Sequence, residues 1–289
     1  MAKNILDQVK EICKLYDIKP SKSKGQNFLI NPEILEVMIK DADVNKTDTV
    51  LEIGPGLGIL TEELVKKAGK VFSVELDKVL VPFLEAKFKG VNNLQLFSAD
   101  ILAVDLLNKY PPFLNLPKDY KIVANLPYNI SAKFFKKFLD SSARPRSITV
   151  LLQKEVAERI CAPQGQLSLL AISVQIYGEP RVVSIVPKEN FWPKPDVTSA
   201  VLTVDKIKDQ NQVDKFFGKL DQKLFWQVVK IGFSAKRKQL HNNLASGFKL
   251  STEDAKKMLN QAEINESSRA QELSIDQWKR LAEIITNSK

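Results

Sequence analysis

The sequence predicts an α/β protein: a mostly parallel sheet with helices on both faces and an antiparallel pair at one edge, then a small all-α C-terminal domain. Three observations predict it. Apolar runs of strand length alternate with amphipathic stretches from Thr49 to about Lys154, the rhythm of a parallel sheet. Two further strands are joined by a Pro-rich connection, Pro187 to Pro195, with no helix between them; that reads as an antiparallel pair closing the edge. Beyond Lys206 the apolar spacing is helical only.

The elements follow in order. Ile5, Leu6, Val9, Ile12, Cys13 and Tyr16 stand at helical spacing, which predicts a helix over 4–16. Lys19 to Gln26 is polar and basic, broken by Pro20 and Gly25, and reads as a loop. Asn31-Pro32 opens a helix running to about Asp41, with proline at its first turn. Strands are expected at Thr49–Ile53, Lys70–Val74, Leu94–Phe97, Tyr120–Ala124 and Ser147–Leu152. Helices are expected over Leu57–Ala68, Asp77 to about Lys89, Ser131–Leu139 and from Lys154. The edge strands are Arg181–Val186 and Ala200–Val204. Four short helices follow, at Phe216–Phe233, Leu240–Leu244, Thr252–Leu259 and Ile275–Ile285. The polar stretch Lys206 to Gln210 places a domain boundary near 205–212. Residues 1–207 then form one domain with an N-terminal helical extension, and 208–289 the second.

Composition narrows the function. The 289 residues are 44% apolar and 27% charged, ordinary for a globular protein. No apolar run approaches the roughly 18 residues that span a bilayer. Lys3, Asp7, Lys10 and Glu11 break the N-terminus, so it does not read as a signal peptide. A cytoplasmic protein is expected. One histidine, His241, and two cysteines, Cys13 and Cys161, carry no metal-ligand spacing; neither a zinc site nor a histidine-based triad is expected. The net charge of +9 points to a polyanionic partner. From Lys206 onward 16 Lys and Arg face 10 Asp and Glu. The bland alternative is a basic surface kept for solubility.

The first strand ends in Glu52-Ile53-Gly54-Pro55-Gly56-Leu57-Gly58. Glycines there let the backbone turn sharply and approach a ligand closely. The second strand is followed by Glu75, about 20 residues after Gly54, where a carboxylate can accept from both ribose hydroxyls of a nucleoside. The spacing is G-x-G-x-G, not the G-x-G-x-x-G/A of dinucleotide sites. Glu52 beside the turn repels a pyrophosphate and suits a cationic sulfonium with an amino-acid tail, so S-adenosylmethionine is favoured over NAD. Asp100, after the third strand, is assigned to the cofactor's adenine amino group, with a helix N-cap as its alternative.

The fourth strand runs into Asn125-Leu126-Pro127-Tyr128. An exocyclic amine on an aromatic ring is a poor nucleophile because its lone pair is delocalised. Acceptors on its two N–H groups draw the nitrogen toward tetrahedral geometry and free the pair. The Asn125 side-chain oxygen and the Leu126 carbonyl can supply them. Pro127 stiffens the turn, and Tyr128 offers a ring face to stack an extruded base. Transfer then depends on positioning and electrostatics, which gives adenine N6 methylation as the reading. Phe191-Trp192-Pro193-Lys194-Pro195 would give the pocket a second wall, with Phe191 as the chosen residue; a hydrophobic plug over the sheet edge is the alternative. Lys236, Arg237, Lys238 and His241 are the candidate RNA-backbone contacts.

Together these segments resemble the small-subunit ribosomal RNA adenine dimethyltransferases. The resemblance runs through Lys24 to Leu29, Glu52 to Gly58, Glu75, Asp100, Asn125 to Ser131, Gln153 to Arg159 and Phe191 to Ser199. It continues through Phe233 to Leu244 and Arg269 to Leu273, nearly the whole chain. It implies a Rossmann-like methyltransferase domain and a small helical domain. It implies two methyl groups placed on each of two adjacent adenosines near the 3′ end of 16S rRNA in an assembling small subunit. S-adenosyl-L-homocysteine would be the product, with no metal, and the protein would act as a monomer away from membranes. The resemblance also implies that Asn27 and Leu29 line the cofactor site. One departure is visible: Gln164-Gly165-Gln166-Leu167-Ser168 stands where the family often has Tyr-Gly-Arg-Leu-Ser, which would weaken an RNA contact while leaving the cofactor and catalytic positions intact. The competing readings are a 23S rRNA adenine methyltransferase of the macrolide-resistance type, and a non-catalytic ribosome-assembly factor on the same fold.

Overall fold

The computed structural model describes residues 4–20, 26–106 and 116–288. Lys24 and Gly25 of the segment read above lie outside them. The chain forms α1 (Ile5–Leu15), β1 (Phe28–Leu29), α2 (Pro32–Asp41), β2 (Thr49–Ile53), α3 (Ile59–Lys67), β3 (Lys70–Glu75), α4 (Leu80–Lys87) and β4 (Leu94–Ser98). Next come β5 (Tyr120–Asn125), α5 (Ser131–Leu139), β6 (Ser147–Gln153), α6 (Lys154–Ile160), α7 (Leu169–Gln175), β7 (Glu179–Val186), β8 (Phe191–Trp192) and β9 (Ser199–Asp205). The remainder is helical: α8 (Gln210–Phe217), α9 (Gln222–Gly232), α10 (Leu240–Phe248), α11 (Thr252–Gln261) and α12 (Ile275–Asn287).

Seven strands make one sheet in the order β4-β3-β2-β5-β6-β9-β7. The pairs from β4 to β6 are parallel, and β9 runs antiparallel to both β6 and β7. This is the Rossmann-like arrangement expected, edge pair included. From β2 the chain winds to β3 and β4 on one side and returns to β5 and β6 on the other. Ligands of open α/β sheets bind at such a reversal, outside the carboxyl ends of the strands. Here those ends are Ile53 and Asn125.

Local chemistry accounts for the helices. Asn31 caps α2, its side chain accepting from the Glu33 N–H at 2.8 Å, with Pro32 in the first turn. In α5, Phe134, Phe135, Phe138 and Leu139 are fully buried, while Lys133 and Lys136 face solvent. At the start of β5, Lys121 is 3% exposed and lies 3.0 Å from Asp48, itself 5% exposed. Arg146 reaches the same carboxylate at 3.0 Å, and Lys121 also donates to the Asp43 carbonyl.

Two compact units result. One holds Met1–Glu158 with Gly178–Ile207; the other holds Arg159–Tyr177 with Lys208–Lys289. The sequence reading kept 159–177 in the first domain; in the structure these residues group with the helical unit. Within that unit the Leu167 N–H donates to the Gln271 carbonyl at 3.2 Å, and Lys208 N–H to the Tyr177 carbonyl at 2.8 Å. The helix expected over 216–233 is two helices. Gly218, at φ 58°, ends α8, and Asp221 caps α9 through the Lys223 N–H. The unit closes tightly: a Cβ on Gly232 would lie 2.2 Å from the Trp278 ring.

Candidate active site

A cleft of about 510 Å³ opens at the carboxyl ends of β2, β3 and β5, within the usual size range of small-molecule sites. Asn27, Leu29, Gly54, Gly56, Glu75, Asp100, Asn125, Leu126 and Tyr128, all expected from the sequence, line it.

The glycine turn has a definite electrostatic character. Gly54, Gly56 and Gly58 all hold positive φ, at 67°, 59° and 74°. Their N–H groups are all occupied within the protein: Gly54 donates to Val74 O at 2.9 Å, Gly58 to Pro55 O at 2.8 Å, and Gly56 to Glu75 Oε2 at 3.1 Å. A phosphate-binding loop aims such groups at its ligand; this one spends them on the fold and on a carboxylate. Glu75 Oε1 also accepts from the Asp77 N–H at 2.8 Å. Burial raises the Glu75 pKa, opposed by these backbone donors. Its oxygens keep further lone pairs for hydroxyl donors. Asp100 stands at the surface of the cleft, with Oδ1 accepting from the Leu102 N–H at 2.8 Å. No helix follows Asp100, so the expected helix N-cap is instead a cap on the turn over 101–103, and the residue lines the cleft as well. Carboxylate acceptors and tied-up N–H groups fit a cationic, hydroxyl-bearing nucleoside cofactor and do not fit a pyrophosphate.

Glu52 differs from its expected part. It lines the cleft but is 1% exposed, and Oε2 accepts from Thr61 Oγ1 at 2.7 Å and Ser73 Oγ at 2.5 Å. Burial drives its pKa to about 7, against those two hydroxyls. It is a structural acid tying β2 to α3 and β3, and the exclusion of phosphate rests on the occupied glycine N–H groups instead. Folding must raise this group from its ordinary value of 4.5, so the folded chain binds the extra proton. Stability is therefore expected to fall as pH rises from about 4.5 to about 7, since the unfolded state releases its proton first. Glu52→Gln should remove that slope while keeping an acceptor for Thr61 and Ser73. Urea unfolding of both proteins across this range reads it directly.

The turn after β5 is fixed from several sides. Leu126 N–H donates to Leu151 O at 3.0 Å, extending the β5–β6 pairing. The Tyr128 hydroxyl lies 2.7 Å from Ser199 Oγ at the start of β9. Burial raises its pKa, so the phenol stays neutral and its ring is held at the cleft wall. Asn125 Nδ2 donates to the Asn27 carbonyl at 3.2 Å.

Two expected site residues are placed elsewhere. Phe191 is 3% exposed, sits in a core cluster with Leu29, Leu35 and Met38, and does not line the cleft. The cause is backbone pairing. β8 runs antiparallel to β1, with Leu29 opposite Phe191 and Phe28 opposite Trp192, which turns the Phe191 ring inward. The structure therefore places Phe191 as the hydrophobic plug weighed against it. His241 is 6% exposed, with Nδ1 2.9 Å from the Glu266 carbonyl. It packs the helical unit and does not share the surface of Lys236, Arg237 and Lys238, which are all exposed. Gln166 is also exposed, in a turn closed by its N–H to Pro163 O at 3.1 Å.

The model of one family, the ribosomal RNA adenine dimethylases, matches residues 18–287. The chain belongs to this family. It is a methyltransferase, and curated relatives match it over nearly its whole length. A ribosomal RNA small subunit methyltransferase A from Dehalococcoides mccartyi is 40% identical over 97% of this chain and 93% of its own length. One from Clostridium botulinum is 37% identical over 96% of this chain and 98% of its own. Among solved structures, a dimethyladenosine transferase from Plasmodium falciparum superposes with a TM-score of 0.69 at 24% identity, covering 87% of this chain and 94% of that one. The 23S rRNA methyltransferase ErmE superposes at 0.67 and 24% identity, covering 90% of this chain and all of that one. These two structures share the fold.

Sequence reasoning gave no separate part to two residues that hold the walls of the cleft. Gln26 donates to Asp77 Oδ2 at 2.8 Å across the cleft rim, and Ser199 holds Tyr128. A glutamine in a basic loop and a serine at a strand start carry no pattern that announces such partners.

Proposed function

We propose that the chain transfers methyl groups from S-adenosylmethionine to the N6 amino groups of two adjacent adenosines near the 3′ end of 16S rRNA, giving N6,N6-dimethyladenosine in the small ribosomal subunit. The observation that carries this reading is the Asn125 amide, at the end of β5, in the same cleft as Glu75 and Asp100. When bound, the cofactor supplies an electrophilic methyl group and leaves as S-adenosylhomocysteine. Glu75 would hold its ribose hydroxyls and Asp100 its adenine amine, with Asn27, Leu29, Gly54 and Gly56 lining the site. Asn125 Oδ1 and the Leu126 carbonyl would accept from the substrate amine, and Tyr128 would stack the base. No metal is required. The protein would work in the cytoplasm, as a monomer, on the small subunit or its precursor. Among the described residues no helix is long and apolar enough to cross a membrane.

The test is methyl transfer from labelled S-adenosylmethionine to undermethylated small subunits, with purified 23S rRNA in parallel and nucleoside analysis of both. Dimethyladenosine in 16S rRNA is expected. Label in 23S rRNA alone would reassign the substrate. Cofactor binding without transfer to either would leave a factor that no longer carries out the reaction.

Lys236, Arg237 and Lys238 are read as backbone contacts to that RNA. Replacing all three with neutral residues should weaken binding and reduce the slope of log K against log salt by about one for each phosphate no longer neutralised. Binding titrations at several salt concentrations check it; an unchanged slope would return these residues to a solvated surface.

A further inference from the structure

Asn125 is an amide whose two ends do opposite things: oxygen accepts and nitrogen donates. At ordinary resolution the two ends are told apart only by their partners. Here the partner decides. Asn125 faces the backbone carbonyl of Asn27 at 3.2 Å, and a carbonyl can only accept. The nitrogen must face Asn27, which turns Oδ1 to the other limb of the planar group.

The carbonyl of Asn27 is itself held. On one side Gln26 Nε2 donates to Asp77 Oδ2 at 2.8 Å, and Asp77 N–H donates to Glu75 Oε1 at 2.8 Å. This anchors the segment to the turn that follows Glu75 at the end of β3. On the other side β1 pairs with β8, the Ile30 N–H donates to the Asn190 carbonyl at 2.8 Å, and Asn31 Nδ2 donates to Asn190 Oδ1 at 2.7 Å. Residues 26–31 are thus pinned at both ends, with one backbone oxygen presented to Asn125.

We propose that the Asn27 carbonyl is the positioning group that sets which end of the Asn125 amide meets the substrate amine, and that the Gln26–Asp77 hydrogen bond keeps that carbonyl in place. This rests on the proposed function. It gives Asn27 a part played by its backbone, separate from cofactor contact. It also predicts that the position needs an amide. An ionised aspartate would be a stronger acceptor, but would set one oxygen against the Asn27 oxygen and be driven out of alignment. A protonated aspartic acid restores the pattern: its O–H donates to Asn27, and its carbonyl oxygen faces the amine.

The experiment is single-turnover methyl transfer to undermethylated small subunits by the parent protein and by Asn125→Asp, from about pH 5.5 to about pH 8.5. S-adenosylhomocysteine binding is measured at each pH. The titratable groups lining the cleft are Glu52, Glu75, Asp77, Lys78, Asp100 and Tyr128. Both proteins carry them, so the ratio of variant to parent cancels their contribution. The variant is expected to fall about a hundredfold or more below the parent at high pH. The ratio should then recover at least about tenfold at low pH, one unit of differential protonation being a factor of ten. Gln26→Ala is the second variant, expected to lower the single-turnover rate several-fold with substrate KM unchanged. A variant-to-parent ratio independent of pH, at any level of activity, overturns the assignment, as does a Gln26→Ala protein with the parent's rate. Absence of transfer by the parent itself overturns the proposed function, and the assignment with it.

Discussion

Asn125→Ala is expected to lower methyl transfer by about two to three orders of magnitude, the usual loss on removing one preorganised polar group from a reacting centre. The side chain is half-buried and its nitrogen already has a partner in Asn27. Truncation removes the acceptor without reorganising the turn, because Leu126 N–H to Leu151 O and the Tyr128–Ser199 hydrogen bond remain. The effect should fall on the transfer step and leave most of the cofactor affinity, since Glu75 and Asp100 are untouched. Single-turnover transfer combined with calorimetric titration of S-adenosylhomocysteine separates the two. A variant that binds cofactor far more weakly and then transfers at the parent's rate would make Asn125 a binding residue only.

Asp48→Ala should be the most damaging substitution outside the cleft. Asp48 Oδ2 accepts from both Lys121 Nζ and the Asn45 N–H, at 3.0 and 2.8 Å. Arg146 can survive its removal, because its side chain is 47% exposed and Asp119 is 3.3 Å away. Lys121 cannot reach solvent. Leaving a buried charge uncompensated costs about 3–5 kcal/mol, a large share of the roughly 5–15 kcal/mol that holds a domain folded. Urea unfolding measures it. Adding Lys121→Met should recover most of the stability, since the double variant has no buried charge to solvate. A double variant as unstable as the single would assign the cost to the Asn45 turn instead.

Much of the fold is legible in the sequence, for a physical reason. Strands in the middle of a parallel sheet are mostly apolar, so β2, β5 and β6 stand out against their turns in spite of Glu52 and Lys121. Helix starts such as Asn31-Pro32 are chemically marked. Where no period exists, there is nothing to read. β1 and β8 are two residues each, too short to show alternation, and their pairing is what buries Phe191. The spacing of α8 and α9 runs on across Gly218, so it predicts one helix where there are two. α7 carries a Ser168 cap but no contrast with its surroundings. In the cleft, carboxylates and glycines at strand ends are legible because chemistry restricts those positions. Burial is not: residue type marks Glu52 and His241 as site candidates, and type alone does not say which way a side chain turns.

The chain passes between its two units three times, after residues 158, 177 and 207. Cutting after residue 207 therefore does not release a finished catalytic piece. The fragment would keep 159–177 while losing Gln271 and Lys208, which those residues bond. The same threading bears on inheritance. A helical module added at one end of a gene can be exchanged between proteins by a single recombination; one whose first segment lies inside the coding region of its neighbour cannot. An exchange of the helical unit would therefore have to carry residues 159–177 as well as 208–289.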